Sequence, residues 1–420
     1  MRTKLDGIDL WNPDNYVSGV PYEMFARLRA EAPVYWHEEP GGPGFWVITK
    51  HADVRAISRD WATFSSELGG TEIADYPEAE LAGLRLLLLY MDPDRHTRYR
   101  LLVNKAFTPR RVQALAQRIE QLSARIVDEV AELGGCDFVA DLAAQLPLRV
   151  IAELIGIPEP DRPFVFDLAN RIIGWMDPEL SSQRSDATAA SVEMLQYAAK
   201  LAEVKRSDPG DDITSALVHI SLEDESGVHR LSELEIGLFF LLLAIAGNET
   251  TRNLLSQGML AFFEHPGEWA RLRANPTLMD GAIEEMLRWG TPTMHFRRTA
   301  TRDTVVRDVL IREGEKVSVW YISANRDEEV FADPCRFDIT RSPNDHLAFG
   351  GGGPHFCFGS HLAKIEISAF FGQLLRRLPD IRLDGEVDRL RSNFANAVKR
   401  MPVAFAPTRV AARIGPGSTR

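Results

Sequence analysis

The stretch AFGGGGPHFCFG, residues 348–359, decides how the rest of the chain is read. Four consecutive glycines, a proline and a cysteine ahead of a helical pattern require a backbone that turns sharply and packs closely against something flat or bulky. A cysteine at a helix N-terminus has its thiolate stabilised by the helix dipole and by free backbone N–H groups, which suits it to metal ligation. Other readings stand beside this one. The stretch can be a tight turn around a structural cysteine. A phosphate cradle would need the Lys-Ser/Thr ending of a P-loop, which is missing. A zinc site built from His355, Cys357 and His361 would lack paired cysteines at the usual spacing.

Upstream, the apolar run around LFFLLLAIAG predicts a helix from about Ser232 to residue 263, with Ser232 and Glu235 as a capping box and Gly and Pro returning at EHPGE. At 1.5 Å per residue it would be about 48 Å long, enough to cross the molecule. It is apolar on all sides, so it belongs in the core. Its middle, AGNETT at 246–251, breaks that rule: Gly, Asn and two threonines disfavour helix, and a buried carboxylate costs several kcal/mol unless partnered. One reading is a notch that lets another helix approach.

Two further segments carry charge in suggestive places. EEMLR, residues 284–288, puts Glu285 and Arg288 three apart on one helix face, a spacing common among solvated pairs of little energetic consequence. The stretch 91–112 holds His96 and Arg100 in a basic helical pattern, and HFRR at 295–298 supplies Arg298.

The remainder sets the frame. The chain has 420 residues, 45% of them hydrophobic, with no internal repeat, no low-complexity block and no long linker, so one continuous unit over 1–420 is expected, with about 407–420 as a flexible tail. Apolar positions at spacings of three and four predict helices at 109–133, 146–156, 161–175, 186–206 and 360–378. PVYWHEE and GFWVITK around PGGP predict a hairpin, and a strand pair is expected near 392–406. The fold class is mainly α with small β-sheets. A formal net charge of −12 and the absence of a basic run exclude a nucleic-acid partner. Three cysteines, Cys136, Cys335 and Cys357, argue for a reducing compartment, and no secretory signal or transmembrane run is read, so a cytoplasmic protein is expected.

Taken together, these segments resemble the cytochrome P450 superfamily from about residue 20 to residue 406. The family's haem-binding stretch is matched by Phe349, Gly350 to Gly353, His355, Cys357 and Gly359, with one departure: Phe349 lies eight residues before Cys357 where the family pattern has seven. The resemblance implies a cytochrome P450 fold and a haem b cofactor with Cys357 as axial thiolate to the iron. It implies that His96, Arg100, Arg298 and His355 bind the haem propionates. Glu249 and Thr250 would be the acid–alcohol pair of oxygen activation, with Glu249 admitting protons and Gly247 giving haem and dioxygen room. Glu285 and Arg288 would be buried beside the cysteine loop, completed by Arg336.

The activity implied is monooxygenation of an apolar substrate. The closest likeness is to actinobacterial enzymes that hydroxylate terminal methyl groups of sterol side chains and methyl-branched lipids. Hydroxylation of a terpenoid or polyketide is the alternative within the family, and a non-catalytic helical ligand-binding protein the alternative outside it. With no flavin or iron–sulfur segment, electrons are expected from a ferredoxin and a ferredoxin reductase, docking on Arg98, Lys105, Arg110, Arg111 and Lys364. A substrate pocket is expected from Phe239, Phe240, Leu243, Ala246, Met294, Phe296 and Phe394.

Overall fold

The computed structural model describes residues 5–106, 109–173, 176–179, 184–224 and 227–408. The N-terminal part runs α1 (Tyr22–Glu31), β1 (Val34–His37), β2 (Phe45–Ile48), α2 (His51–Arg59), β3 (Phe64–Ser65) and α3 (Glu78–Leu84). Next come α4 (Arg95–Ala106), α5 (Pro109–Val130), β4 (Gly135–Asp137), α6 (Gln145–Ile155), α7 (Arg162–Ile173), α8 (Arg184–Ser207) and α9 (Ile213–His219). A small hairpin, β5 (Leu222–Asp224) and β6 (Gly227–His229), precedes α10 (Glu233–Glu264), α11 (Pro266–Ala274) and α12 (Met279–Gly290). The chain then forms β7 (His295–Ala300), β8 (Thr304–Val306), β9 (Val309–Ile311), β10 (Lys316–Trp320) and α13 (Tyr321–Ala324). It closes with α14 (Ser360–Arg377), β11 (Arg382–Leu383), β12 (Asp388–Arg389), β13 (Val398–Arg400) and β14 (Pro402–Ala404).

Local chemistry fixes several of these limits. Ser232 and Glu235 exchange side-chain and backbone hydrogen bonds, the expected capping box, and α10 stops where Pro266 begins the next helix. Within the stretch 91–112, α4 covers Arg95–Ala106 and α5 opens at Pro109, which has no N–H to donate and is suited to a first helical position. The aromatic hairpin pairs Val34–His37 with Phe45–Ile48, and β2 joins β10 in parallel in a five-stranded sheet of order β1-β2-β10-β7-β3. The two C-terminal strands do not pair with each other. β13 pairs with β12, while β14 lies between β11 and β4.

α10 is long and apolar enough to cross a bilayer by length and composition, yet it lies inside the fold, packed on α8, α6 and α12. Its two halves belong to different apolar cores. Ile236–Ala244 pack with residues of α6, α7 and α8, and Leu254–Phe262 pack with α5, α12 and α14. The polar interruption 246–253 falls at the junction. A buried apolar helix gains roughly 25 cal/mol per Å² covered, so both halves hold the interruption in place although those residues are poor helix formers.

Candidate active site

The cysteine loop is set by its glycines. Gly350, Gly352 and Gly353 have φ of +92°, +89° and +78°, a backbone that side chains disfavour. The bulky neighbour is α2: a Cβ on Gly351 would lie 2.7 Å from the Ser58 side chain, and one on Gly353 would lie 2.7 Å from the Ser58 carbonyl. The glycine run thus seats the loop on α2. Beyond it, the Cys357 N–H donates to the Phe349 carbonyl at 2.9 Å, and Gly359 caps α14. Burial pushes the Cys357 thiol up, against the Gly359 N–H, Arg100 and the Ser360 N–H, which all favour the thiolate. Cys357 is crowded by protein yet its side chain is accessible, so it lines a cleft and is not packed into core. A bound cation would reverse the balance and hold the sulfur as thiolate.

On α10, Ala246 and Thr250 are exposed among buried neighbours Ala244, Asn248, Glu249 and Thr251. Residues four apart share a helix face, so this face opens on a cleft within the fold. Leu243 and Ile245 pack against the same apolar cluster as Phe358 and Leu362, which flank the cysteine on its C-terminal side. The Thr250 hydroxyl donates to the Ala246 carbonyl at 2.7 Å. Glu249 is buried on another face, where its Oε1 accepts from Arg252 and, at 3.1 Å, from Asn253. Arg252 also donates to Asn170 on α7 at 3.2 Å. At Gly247 a Cβ would lie 2.7 Å from Ile151 of α6, so this glycine serves as a helix-packing notch.

Four basic side chains converge beside the cysteine loop. The rings of His96 and His355 are 4.5 Å apart, Arg100 donates to the Pro354 carbonyl at 2.9 Å, and Arg298 is buried with a bond to the Arg297 carbonyl at 2.7 Å. Ser66 contacts His355 Nε2 at 3.2 Å. Burial, helped by Arg100, brings His96 down to about 4; burial, Arg298, His96 and Arg100 hold His355 well below its usual range. No carboxylate among the described residues is hydrogen-bonded to any of the four. Two arginines without a carboxylate partner, flanked by two imidazoles held neutral, form a set of donors that lacks an anion, so this cluster fits the two propionates of a haem, and Cys357 fits its iron.

Glu285 and Arg288 are fully buried and bidentate, at 2.7 and 2.8 Å. The second arginine on Glu285 is Arg341, at 3.2 Å, and not Arg336. Arg336 turns its side chain to solvent, 62% exposed, and offers its backbone carbonyl to Arg288 and Arg341 instead. Asn344 and the Asp338 N–H complete the carboxylate's partners. Arg341 and Asn344 escaped the sequence reading because two arginines follow DPC within six residues and spacing cannot choose between them.

The expected pocket also divides. Phe296 and Phe394 are in ring contact at 5.6 Å, and on α10 the exposed Ala246 lies one turn from the half-buried Leu243. Phe240 is instead buried on the α8 side, 5.8 Å from the Tyr197 ring, about 100° around the helix from Phe239. Met294 is fully buried with Phe25 and Trp320 in the core behind the sheet. Of the basic docking residues, Lys364 is paired with Glu284. The side chains of Lys105, Arg110 and Arg111 lie outside the described residues.

A thiol donor, a polar step in the long central helix and a cluster of arginine and histidine donors without an anion together fit a haem-thiolate oxygenase. Comparison with known proteins carries this to a family: residues 162–393 match the family model described as Cytochrome P450, and the chain belongs to that family. It is 40% identical over 409 residues to the steroid C26-monooxygenase of Rhodococcus jostii (strain RHA1), covering 95% of this chain and 85% of that one. It is also 40% identical over 414 residues to the methyl-branched lipid omega-hydroxylase of Mycobacterium bovis (strain ATCC BAA-935 / AF2122/97), covering 96% and 94%. The structure of Mycobacterium marinum cytochrome P450 CYP268A2 in complex with pseudoionone superposes with a TM-score of 0.88 at 41% identity, covering 96% of this chain and 99% of that one. The protein is therefore a haem-dependent monooxygenase that takes electrons from a redox partner and acts on an apolar substrate.

Proposed function

We propose that the protein hydroxylates a terminal methyl group of a sterol side chain or a methyl-branched lipid. The observation that carries this is the near-equal, full-length identity to relatives named for those two activities. The lining agrees: Leu243, Ala246, Phe296 and Phe394 offer area burial and few polar anchors. Cys357 would hold the iron, Gly359 its loop, and His96, Arg100, Arg298 and His355 the propionates. When bound, the haem supplies activation of dioxygen and insertion of one oxygen atom into a C–H bond.

The chain's own residues supply positioning and protons. Thr250, with its proton committed to Ala246, turns an oxygen lone pair to the cleft, where it can accept a hydrogen bond and pass a proton on. Glu249, tethered by Arg252 and Asn253 toward α7, stands where a proton from the α7 side can be taken up and relayed. Glu285, Arg288 and Arg341 act at a distance, by fixing the chain that leads into the cysteine loop. The redox partner is a small acidic ferredoxin served by its reductase, the molecule is one folded unit, and its location is cytoplasmic.

A panel of sterols with intact side chains and methyl-branched lipids is expected to shift the ferric haem from low to high spin and to yield terminal alcohols. A spin shift with a compact polar macrolide and with none of the lipids would overturn the substrate assignment. Replacing Thr250 by Ala is expected to leave haem content unchanged and to lower product per electron pair roughly 10²-fold, the lower end for a positioned proton donor. Peroxide release should account for the lost equivalents. Undiminished coupling would remove Thr250 from the relay.

A further inference from the structure

We propose that Glu284 is a positioning residue for the cysteine ligand: its one carboxylate ties the chain before Cys357 to the chain after it and so fixes the loop that presents the sulfur. The inference rests on the reading of Cys357 as the iron ligand. α12 carries two consecutive carboxylates, and successive residues of a helix point about 100° apart. Glu285 turns inward to the arginines, and Glu284 turns to the proximal loop. Its Oε2 meets His346 Nε2 at 2.9 Å, and its Oε1 accepts from Lys364 Nζ at 2.5 Å. His346 lies eleven residues before Cys357 and Lys364 seven after it.

Both legs converge on Phe349. The His346 ring is 6.1 Å from the Phe349 ring, and Lys364 Nζ lies 5.7 Å from its centroid. The Phe349 carbonyl in turn accepts the Cys357 N–H at 2.9 Å. The tautomer of His346 is set as well: its Nδ1 accepts the Ala348 N–H at 3.2 Å, which leaves Nε2 to donate to Glu284. Although burial raises the Glu284 carboxyl, hydrogen bonds from His346 and Lys364 bring it down to about 2, so the tie is anionic under all working conditions. Glu284 and Lys364 also line a surface groove of about 870 Å³ between α5, α12 and α14. The tie therefore lies at the edge of the packed core, and cutting it removes no buried apolar surface.

The experiment uses the haem-loaded enzyme with Glu284→Gln, which keeps the shape and removes the charge from both legs. The expected result is full haem content, with the reduced CO complex passing from its long-wavelength thiolate form to the short-wavelength thiol form about 10-fold faster than in the parent. That factor is the lower end of what an outer-shell partner of a metal ligand contributes. Lys364→Met, which cuts one leg, should act in the same direction and add nothing when combined with Glu284→Gln. It decides the matter if the first variant does not load. Variants whose conversion rate equals the parent's, whether or not they melt earlier, would reduce Glu284 to an ordinary ion pair. A parent without the long-wavelength band would overturn both readings, and a parent with it leaves only the role of Glu284 at stake.

Discussion

Replacing Cys357 by Ser is expected to abolish the red-shifted Soret band of the reduced CO complex and all turnover. A neutral hydroxyl is a poor ligand for iron and donates far less charge than sulfur, so the iron loses both its anchor and the electron density that favours O–O cleavage. The protein around it should persist, because the loop geometry rests on the glycines seated against α2 and on the Phe349–Cys357 backbone bond, and neither involves the sulfur. The measurement is the absorbance spectrum of the reduced sample with CO, read against haem content. A Ser variant that keeps the band and its activity would show that the ligand is some other residue.

The second large effect is on stability. Glu285→Gln should lower the yield of folded, haem-loaded protein and cost about 3–5 kcal/mol, because it leaves Arg288 buried without an anion. The corrected partner sharpens this. Arg341→Ala should be costly, since Arg341 is nearly buried on the same carboxylate and also holds the carbonyls of Ala332, Asp333 and Arg336. Arg336→Ala should stay within about 0.5 kcal/mol, as befits an exposed side chain. Chemical denaturation of the three holoproteins checks the order. Equal losses for Arg341 and Arg336, or none for Glu285, would contradict the network.

Where a residue's neighbours are its neighbours in sequence, the reading from sequence succeeded. The limits of α10 follow from Ser232, Glu235 and Pro266, and the first hairpin from aromatic alternation around PGGP. Cys357 stood out because glycines, proline and a following helix are a local pattern, and its reading as an iron ligand came from the family resemblance. The errors arise where the deciding partner comes from a distant segment. Close packing was expected at Gly247 and at the glycine run, and it is found, but the partners, Ile151 on α6 and Ser58 on α2, leave no trace in local spacing. Phe240 and Met294 have the composition of pocket residues, yet a rotation of 100° along a helix or one step along the chain turns them into core. Arg336 and Arg341 differ only in how the loop folds back. The start of α5 at Pro109 was legible, since proline is suited to open a helix and the apolar spacing begins there.

The sharing of α10 between two cores also bears on how the polypeptide emerges during synthesis. Its first half can pack on α6, α7 and α8 once residue 264 is free, since those helices are already made. Its second half, Leu254–Phe262, can pack at once on α5 and soon on α12, but the side that meets Ile367–Leu374 of α14 waits for roughly a hundred more residues. At about 5–20 residues per second, that is a delay of roughly 5–20 s during which the side facing α14 stays uncovered. The nascent chain is therefore most prone to aggregation after the first core has formed and before the cysteine-bearing segment appears, so the segment that delivers the iron ligand also completes the cover of the hydrophobic helix.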